Sequence, residues 1–301
     1  MTDLYFPEVL DSSIVATMKR CPQLFKKVYI DQWKSKEPSI HLGAGGAFAA
    51  GLEATRKAFF IDGLESEDSL VEGLKALLIA YGDLQCPEDS GKSWENTAGA
   101  LVAYVDNYPL NHETGYPIEL PGGKRAIEFN YTSPLEIAHP VTGQPILYTG
   151  RSDAIVHFAS DNFICDEKTT SQLGFTWPRK WGLRAQFTGY CWLARSNGMR
   201  VAGVLTRGIA IRKTGFDFAE AITYRPDWAI DRWYNELHEW IQQAICWAKS
   251  GHFRYNLDDS CTDYGGCGFT TACESENELP WLETFFERRI WDPITREERK
   301  I

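Results

Sequence analysis

Apolar and polar positions follow a helical period through the first part of the chain and a strand-like period from Lys124 onward. Residues 12–33 predict a helix entered through Ser12 and Ser13, with a basic and aromatic surface of Lys19, Arg20, Phe25, Lys26, Lys27 and Tyr29. Pro22 should kink or split it, because proline lacks a backbone donor and clashes with the preceding turn. The glycine-rich run from His41 becomes a helix reaching Phe60, in which Ala47, Ala49, Ala50 and Gly51 let another backbone approach closely. Glu53 lies on this helix. No G-x-x-x-x-G-K-[ST] is present, so it is not a phosphate loop. Helices over 67–81 and 94–108 follow, the first with Leu70, Val71, Leu74, Leu77 and Leu78 on a single apolar face; they predict a helical cap without chemistry.

The strand-like part opens with residues 126–131 and 135–138, and Gly143-Gln144-Pro145 turns the chain into 146–148. Two further runs, 151–158 and 163–168, flank Ser160-Asp161-Asn162 and predict a hairpin. Pro178 opens a helix that runs to about Arg195. Residues 201–212 and 216–223 predict two more strands, and 227–250 a long helix whose Trp228, Trp233, Trp240 and Trp247 predict core packing. The expected fold class is α/β. It is one domain, with a helical portion (1–120), a core (124–250) whose mixed central sheet runs from about Lys124 to Thr223 between helices, and a cysteine-bearing tail (251–301).

Charge narrows the function. The chain of 301 residues carries 31 Lys and Arg against 41 Asp and Glu, a net charge of −10. That excess argues against a broad coat of nucleic acid or anionic lipid but leaves room for a local basic groove. No run of about 18 apolar residues occurs, and MTDLYFPEVLDS lacks a basic-then-apolar signal pattern. These features predict a soluble cytoplasmic protein with no membrane partner. Eight cysteines in such a protein suggest ligation more than disulfides. Cys86, Cys165, Cys191 and Cys246 lie in strands or helices or beside a proline and predict buried thiols. Cys261, Cys267 and Cys273, spaced C-x5-C-x5-C among glycines and polar residues, have no core periodicity to explain them. Ligation explains them better, with Cys21 the free candidate for a fourth ligand. Their spacing is wider than zinc pairs usually show and suits an iron–sulfur cluster better.

The hairpin is the candidate centre of chemistry. An even loop sets Asp153, Asp166 and Lys168 on one sheet face, since side chains alternate with period two. Two carboxylates and an ammonium are costly to bury beside aliphatic residues without a partner, and a divalent cation suits them. The plain alternative is an edge-strand charge beside a solvated i, i+2 pair. Glu128, on a neighbouring strand, either faces the same site or is a surface acid. Gln186 and Tyr190 are i, i+4 neighbours on a helix face shared with Leu183 and Leu193. There a glutamine is either a satisfied core amide or a group that orders a phosphate or base. Trp177, Arg179, Lys180, Trp181 and Arg184 either stack bases and hold phosphates or form a solvated helix entrance.

Taken in order, S-I-V-A-T-x-x-x-C-P around Cys21, G-R-S-D at 150–153, D-E-K-T-T at 166–170, Q-F-T-G-Y at 186–190 and the three late cysteines cover nearly the whole chain. Their order and spacing resemble the RecB-like branch of the PD-(D/E)xK nuclease superfamily, in its iron–sulfur-stapled members. The resemblance implies a restriction-endonuclease-like sheet with a C-terminal iron–sulfur loop. It also implies a metal-dependent DNA exonuclease of phage or bacterial recombination, replication or repair. Asp153 and Asp166 would hold Mg²⁺ or Mn²⁺ with the backbone carbonyl of Glu167, and Lys168 would orient or deprotonate the attacking water. Gln186, Tyr190 and Arg151 would lie beside the DNA. Cys21, Cys261, Cys267 and Cys273 would ligate a structural [4Fe-4S] cluster. Implied partners are single-stranded DNA or DNA ends, with a recombinase, helicase or single-strand-binding protein. Two departures stand out. The family's histidine four residues before a helix glutamate is Ala49 here, leaving Glu53, Glu128 or water to complete the metal shell. The first cysteine gap is five residues where two are usual. The missing histidine supports an alternative, a nuclease fold kept as a DNA-end-binding subunit with weak or no catalysis. An iron–sulfur electron carrier would leave the hairpin without a role.

Overall fold

The computed structural model describes residues 5–37, 39–111, 116–120, 122–262 and 266–300. In chain order the elements are β1 (Val9–Leu10), α1 (Ser12–Arg20), α2 (Pro22–Phe25), a π-helical turn (Lys26–Ile30), β2 (Trp33–Ser35), α3 (Ile40–Phe60), α4 (Ser66–Tyr81) and α5 (Trp94–Asn107). There follow β3 (Tyr116–Pro117), β4 (Ile127–Ala138), β5 (Pro145–Phe158), β6 (Asp161–Thr170), a 3-10 turn (Pro178–Trp181), α6 (Ala185–Ser196), β7 (Gly203–Arg212) and β8 (Gly215–Tyr224). The chain ends with α7 (Asp227–Ser250), α8 (Asp259–Thr262), α9 (Thr270–Cys273), α10 (Leu279–Phe285), β9 (Phe286–Asp292) and β10 (Glu297–Lys300).

The architecture is α/β with a mixed sheet flanked by helices, as the period change predicts. The chain divides into two compact units. One comprises Met1–Glu37, Tyr131–Gly150 and Asp231–Ile301, the other Pro38–Asn130 and Arg151–Ile230. Strands β4 and β5 each pass from one unit to the other. The two short strands expected before Ala138 are one continuous strand running through Pro134. Among the described strands β4 pairs only with β5, so a proline's missing N–H is tolerable there.

In the second unit, β5 and β6 form an antiparallel hairpin with Phe158 opposite Asp161 and Ala154 opposite Cys165. The turn is the two residues Ala159 and Ser160, with Ala159 at φ 54°, so β6 starts two residues earlier than expected. From β6 the chain crosses over through α6 to β7, which pairs parallel to β6 and antiparallel to β8. Helices α3, α4 and α5 cover one face, where Ile209 and Ile211 join Phe48, Leu52, Leu77, Leu101 and Tyr104 in one core. From the opposite face of β7, Gly208 meets the Trp177 ring. The small-residue stretch of α3 does bring a backbone close. Gly51 faces Gly73 of α4, and a Cβ on Gly73 would lie 1.8 Å from Thr55 Oγ1 and 2.7 Å from the Gly51 carbonyl. The buried line of α4 is therefore Ser69, Gly73, Leu77 and Tyr81, and Val71 and Leu78 of the expected apolar face are exposed.

In the first unit, Asp11 rather than Ser12 or Ser13 caps α1, accepting from Ile14 N at 2.8 Å. The helix breaks at Cys21, extended at φ −161°, and restarts with Pro22 at its first position, where the missing donor is not needed. Trp33, expected at the helix end, lies in β2 of a three-stranded sheet ordered β10-β9-β2. Trp33, Phe269, Leu282 and Phe286 form its small core. Trp233 and Trp247 of α7 are buried as expected, whereas Trp228 is exposed. Cys165 and Cys191 are buried, Cys86 is half-buried and Cys246 is exposed, so that last thiol is not a core residue. Among the described residues no helix is long and apolar enough to cross a membrane.

Candidate active site

The antiparallel register that sets Ala154 opposite Cys165 continues toward Asp153 and Asp166. Asp166 is 1 % exposed, and Lys168 Nζ lies 2.5 Å from its Oδ2. The Glu167 N–H donates to Asp153 Oδ2 at 2.7 Å, tying the two strands together at the carboxylates. Burial, and then the charges of Asp166, Glu167 and Glu128, push the Asp153 carboxyl well above the usual range. Burial works against charge on Lys168, but Asp166 and Asp153 hold its ammonium above the ordinary lysine range. With both carboxyls ionised, the hairpin would carry more negative charge than one ammonium offsets. A carboxyl so perturbed by burial and neighbouring like charges is a candidate functional group.

Glu167 itself belongs to a different arrangement. Arg56 of α3 donates to both its oxygens, through Nη2 at 2.5 Å and Nη1 at 3.2 Å, and the Tyr104 hydroxyl of α5 donates to Oε1 at 2.8 Å. Burial alone would raise its pKa, but the Arg56 guanidinium holds Glu167 well below the usual carboxylate range. The side chain is thus an anchor on the α3–α5 side, and of Glu167 only the backbone carbonyl is left for the metal role. Arg56, Tyr104 and Arg207, whose Nη1 donates to Tyr104 OH at 3.3 Å, were not legible as site residues. They come from three distant elements. The only local signal was a basic residue three positions after Glu53, on the same helix face.

Glu53 and Glu128 do reach the same neighbourhood, where both pair with Arg151. Its Nη2 lies 3.0 Å from Glu53 Oε2, and its Nε donates to Glu128 Oε2. Lys57 holds the other oxygen of Glu53 at 2.5 Å. Glu128 adopts φ 48°, rare for a side chain of this size and commonest where function over-determines the backbone. Arg151 thus lies between two carboxylates rather than free for DNA.

Gln186 Nε2 donates to the Tyr190 hydroxyl at 2.9 Å, the i, i+4 contact the spacing predicts. Tyr190 is buried, and the neighbouring Phe187 ring lies 5.8 Å from Lys168 Nζ, which brings α6 to the hairpin. The helix expected from Pro178 is instead a 3-10 turn followed by α6, and Leu183 between them is exposed rather than on the buried face. Trp177, expected to stack bases, is 3 % exposed and packs edge-on against Trp181 at 5.3 Å. Burial takes both indoles out of reach of a base. Arg179, Lys180 and Arg184 are exposed.

In the first unit, Cys21, Cys261, Cys267 and Cys273 line one cavity of about 170 Å³. The Cys267 N–H donates to the Cys261 carbonyl at 2.8 Å. Residues 263–265 of this segment lie outside the described residues. Among the described residues no three His, Cys, Asp or Glu side chains converge closely enough to hold a metal ion, either here or at the hairpin. The donor sets nevertheless match the two groups in chemistry. Carboxylate oxygens at the hairpin suit a hard cation, and thiols around one cavity suit iron.

No family model matches the chain, and no curated protein does. It is similar to a crystal structure from Eubacterium rectale provisionally named an exonuclease, with TM-score 0.48 and 15 % identity over 85 % of this chain and 88 % of that one. A second solved structure, SSO0001, matches with TM-score 0.31 and 13 % identity over 79 % of each chain. Neither similarity carries an argument about activity.

Proposed function

We propose that this protein is a metal-dependent nuclease that hydrolyses phosphodiester bonds of DNA from an end. The observation that carries the proposal is the pairing of Asp153 and Asp166 on adjacent strands with Lys168 beside them, where buried carboxylates outnumber the ammonium. Asp153, Asp166 and the Glu167 carbonyl are the oxygens that would hold Mg²⁺ or Mn²⁺. Such a cation supplies charge that acidifies water and offsets the negative charge developing on phosphate. Without a cation, Asp166 and Asp153 hold the Lys168 ammonium above the ordinary lysine range; beside a bound cation Lys168 would orient the attacking water and hold a phosphate oxygen as charge accumulates. Gln186 and Tyr190 present an amide and a hydroxyl on the α6 side, suited to the nucleotide flanking the scissile bond. The proposal extends to a structural [4Fe-4S] cluster on Cys21, Cys261, Cys267 and Cys273, supported by their shared cavity.

A second reading, a DNA-end-binding subunit with little catalysis, draws on Ala49 in place of the family's histidine and on Arg151 occupying Glu53 and Glu128. One experiment separates them. End-labelled single- and double-stranded DNA is incubated with anaerobically purified protein and Mg²⁺, Mn²⁺ or EDTA, beside Asp166→Ala and Lys168→Ala. Cation-dependent degradation that falls by roughly 10²-fold or more in both variants supports the nuclease. Tight binding without cleavage supports the binding subunit, and full activity in both variants defeats the catalytic assignment.

A further inference from the structure

The segment joining β6 to α6 carries a surface that neither the catalytic residues nor the core requires. From Ser171 to Ala185 it contains no Asp or Glu and three bases, Arg179, Lys180 and Arg184, in a chain whose net charge is −10. Trp177 is buried against Gly208 of β7, and Trp181 packs on Phe187 at 5.5 Å, so two indoles root the segment beside the helix that approaches Lys168. What remains outside is unusual. Phe175 and Leu183 are each 87 % exposed, and no other large apolar side chain among the described residues is as exposed. The Arg179 guanidinium lies 5.4 Å from the Phe175 ring centre. That cation occupies one side of the ring and leaves most of it open.

An open phenyl ring backed by the Arg179 guanidinium, on a segment that also carries Lys180 and Arg184, suits an unpaired nucleobase with its phosphates. The base stacks on the ring while the cations hold the backbone, and any base has a face to offer. Inside a duplex the base faces are covered; an anionic lipid surface would also suit exposed apolar side chains among basic residues, but a ring held against a guanidinium beside the hairpin favours a base, and vesicles test the other outcome. We infer that Phe175, with Arg179, Lys180 and Arg184, forms a stacking platform for single-stranded nucleic acid beside the hairpin site. It takes the stacking role that burial denies to Trp177. The inference rests on the proposed nuclease reading for its substrate class, but its test does not depend on cleavage.

The test is binding of a single-stranded oligonucleotide carrying 2-aminopurine at successive positions, measured in EDTA with wild type, Phe175→Ala and Phe175→Trp, alongside anionic vesicles. Phe175→Ala should weaken binding about 5- to 150-fold and abolish the position-specific quenching. Phe175→Trp should restore both. Because Phe175 is exposed, the thermal melt of Phe175→Ala should match wild type. Wild-type affinity and quenching in Phe175→Ala overturn the platform, as does wild type that binds vesicles or nothing instead of the oligonucleotide. Quenching by a protein that never cleaves DNA leaves the platform standing and removes only the nuclease reading.

Discussion

Asp153 is the residue at which stability opposes the proposed metal-binding role. Its carboxyl is buried and faces the charges of Asp166, Glu167 and Glu128, with a single hydrogen bond from Glu167 N and the more distant Lys168 as compensation. A buried carboxyl so poorly paired costs the folded state, whether it stays charged or takes up a proton, and removing it relieves that cost. Asp153→Asn should therefore melt higher than wild type without divalent cations, by about 2–4 °C for each kcal/mol relieved. Added Mn²⁺ or Mg²⁺ should raise the wild-type melt, because a ligand bound only by the native state stabilises it, and should not raise that of the variant. Thermal scans with and without cation check both statements. An equal cation shift in both proteins would remove Asp153 from the metal site. This residue was legible from the hairpin alone, because strand periodicity and an even turn fix which side chains meet. Its neighbours Arg56 and Tyr104 were not, because a buried ion pair between a helix and a strand leaves no periodic trace in either.

At the scale of elements, α3 supplies both Glu53 and Arg56, so its position decides whether Glu167 is anchored and Arg151 engaged. That position depends on how closely α4 approaches. Gly73 lies against Thr55 Oγ1, which itself donates to the Gly51 carbonyl at 2.9 Å, and any side chain at 73 must displace both. Gly73→Ala should destabilise the fold by about 1–3 kcal/mol, the usual cost of overpacking. It should also reduce activity by shifting Glu53 and Arg56. Adding Thr55→Ala removes the nearest of the clashing atoms and should recover part of the loss, a coupling that a double-mutant cycle in denaturant measures. A Gly73→Ala protein as stable as wild type would show that the helices separate at no cost. The sequence made α3 and α4 legible as helices and flagged the small residues of α3. The packing of α4 departs from its apolar spacing, because Gly73 is where its backbone meets that of α3. Similarly, Pro178 suggested a long helix, whereas the buried Trp177 and Trp181 hold a 3-10 turn before α6 begins.

Across the whole chain, residues far apart in sequence are held together in the first unit. Arg20 donates through Nε and Nη2 to the Ser260 carbonyl at 3.1 and 2.9 Å, and Asn256 Nδ2 donates to the Arg20 carbonyl at 2.7 Å. Beside these bonds the four cysteines share their cavity. Burial pushes the Cys273 thiol up to about 11, so at neutral pH it carries its proton. A metal centre needs thiolates, and its formation must release protons, so loading should be poorer in acid than at mild alkaline pH. A link between residues 21 and 261 constrains the unfolded chain over a long loop, which is where most of its stabilisation would arise. The hydrogen bonds already seat both ends without it. The proposed cluster therefore predicts a brown anaerobic protein with about four irons per chain, whose Cys21→Ala variant loses iron and melts lower yet keeps its secondary structure. Iron and sulfide analysis with circular dichroism checks this. A Cys21→Ala protein with wild-type colour and iron would remove that ligand, whereas reconstituted wild type without iron would leave the four thiols as packing around the cavity they line.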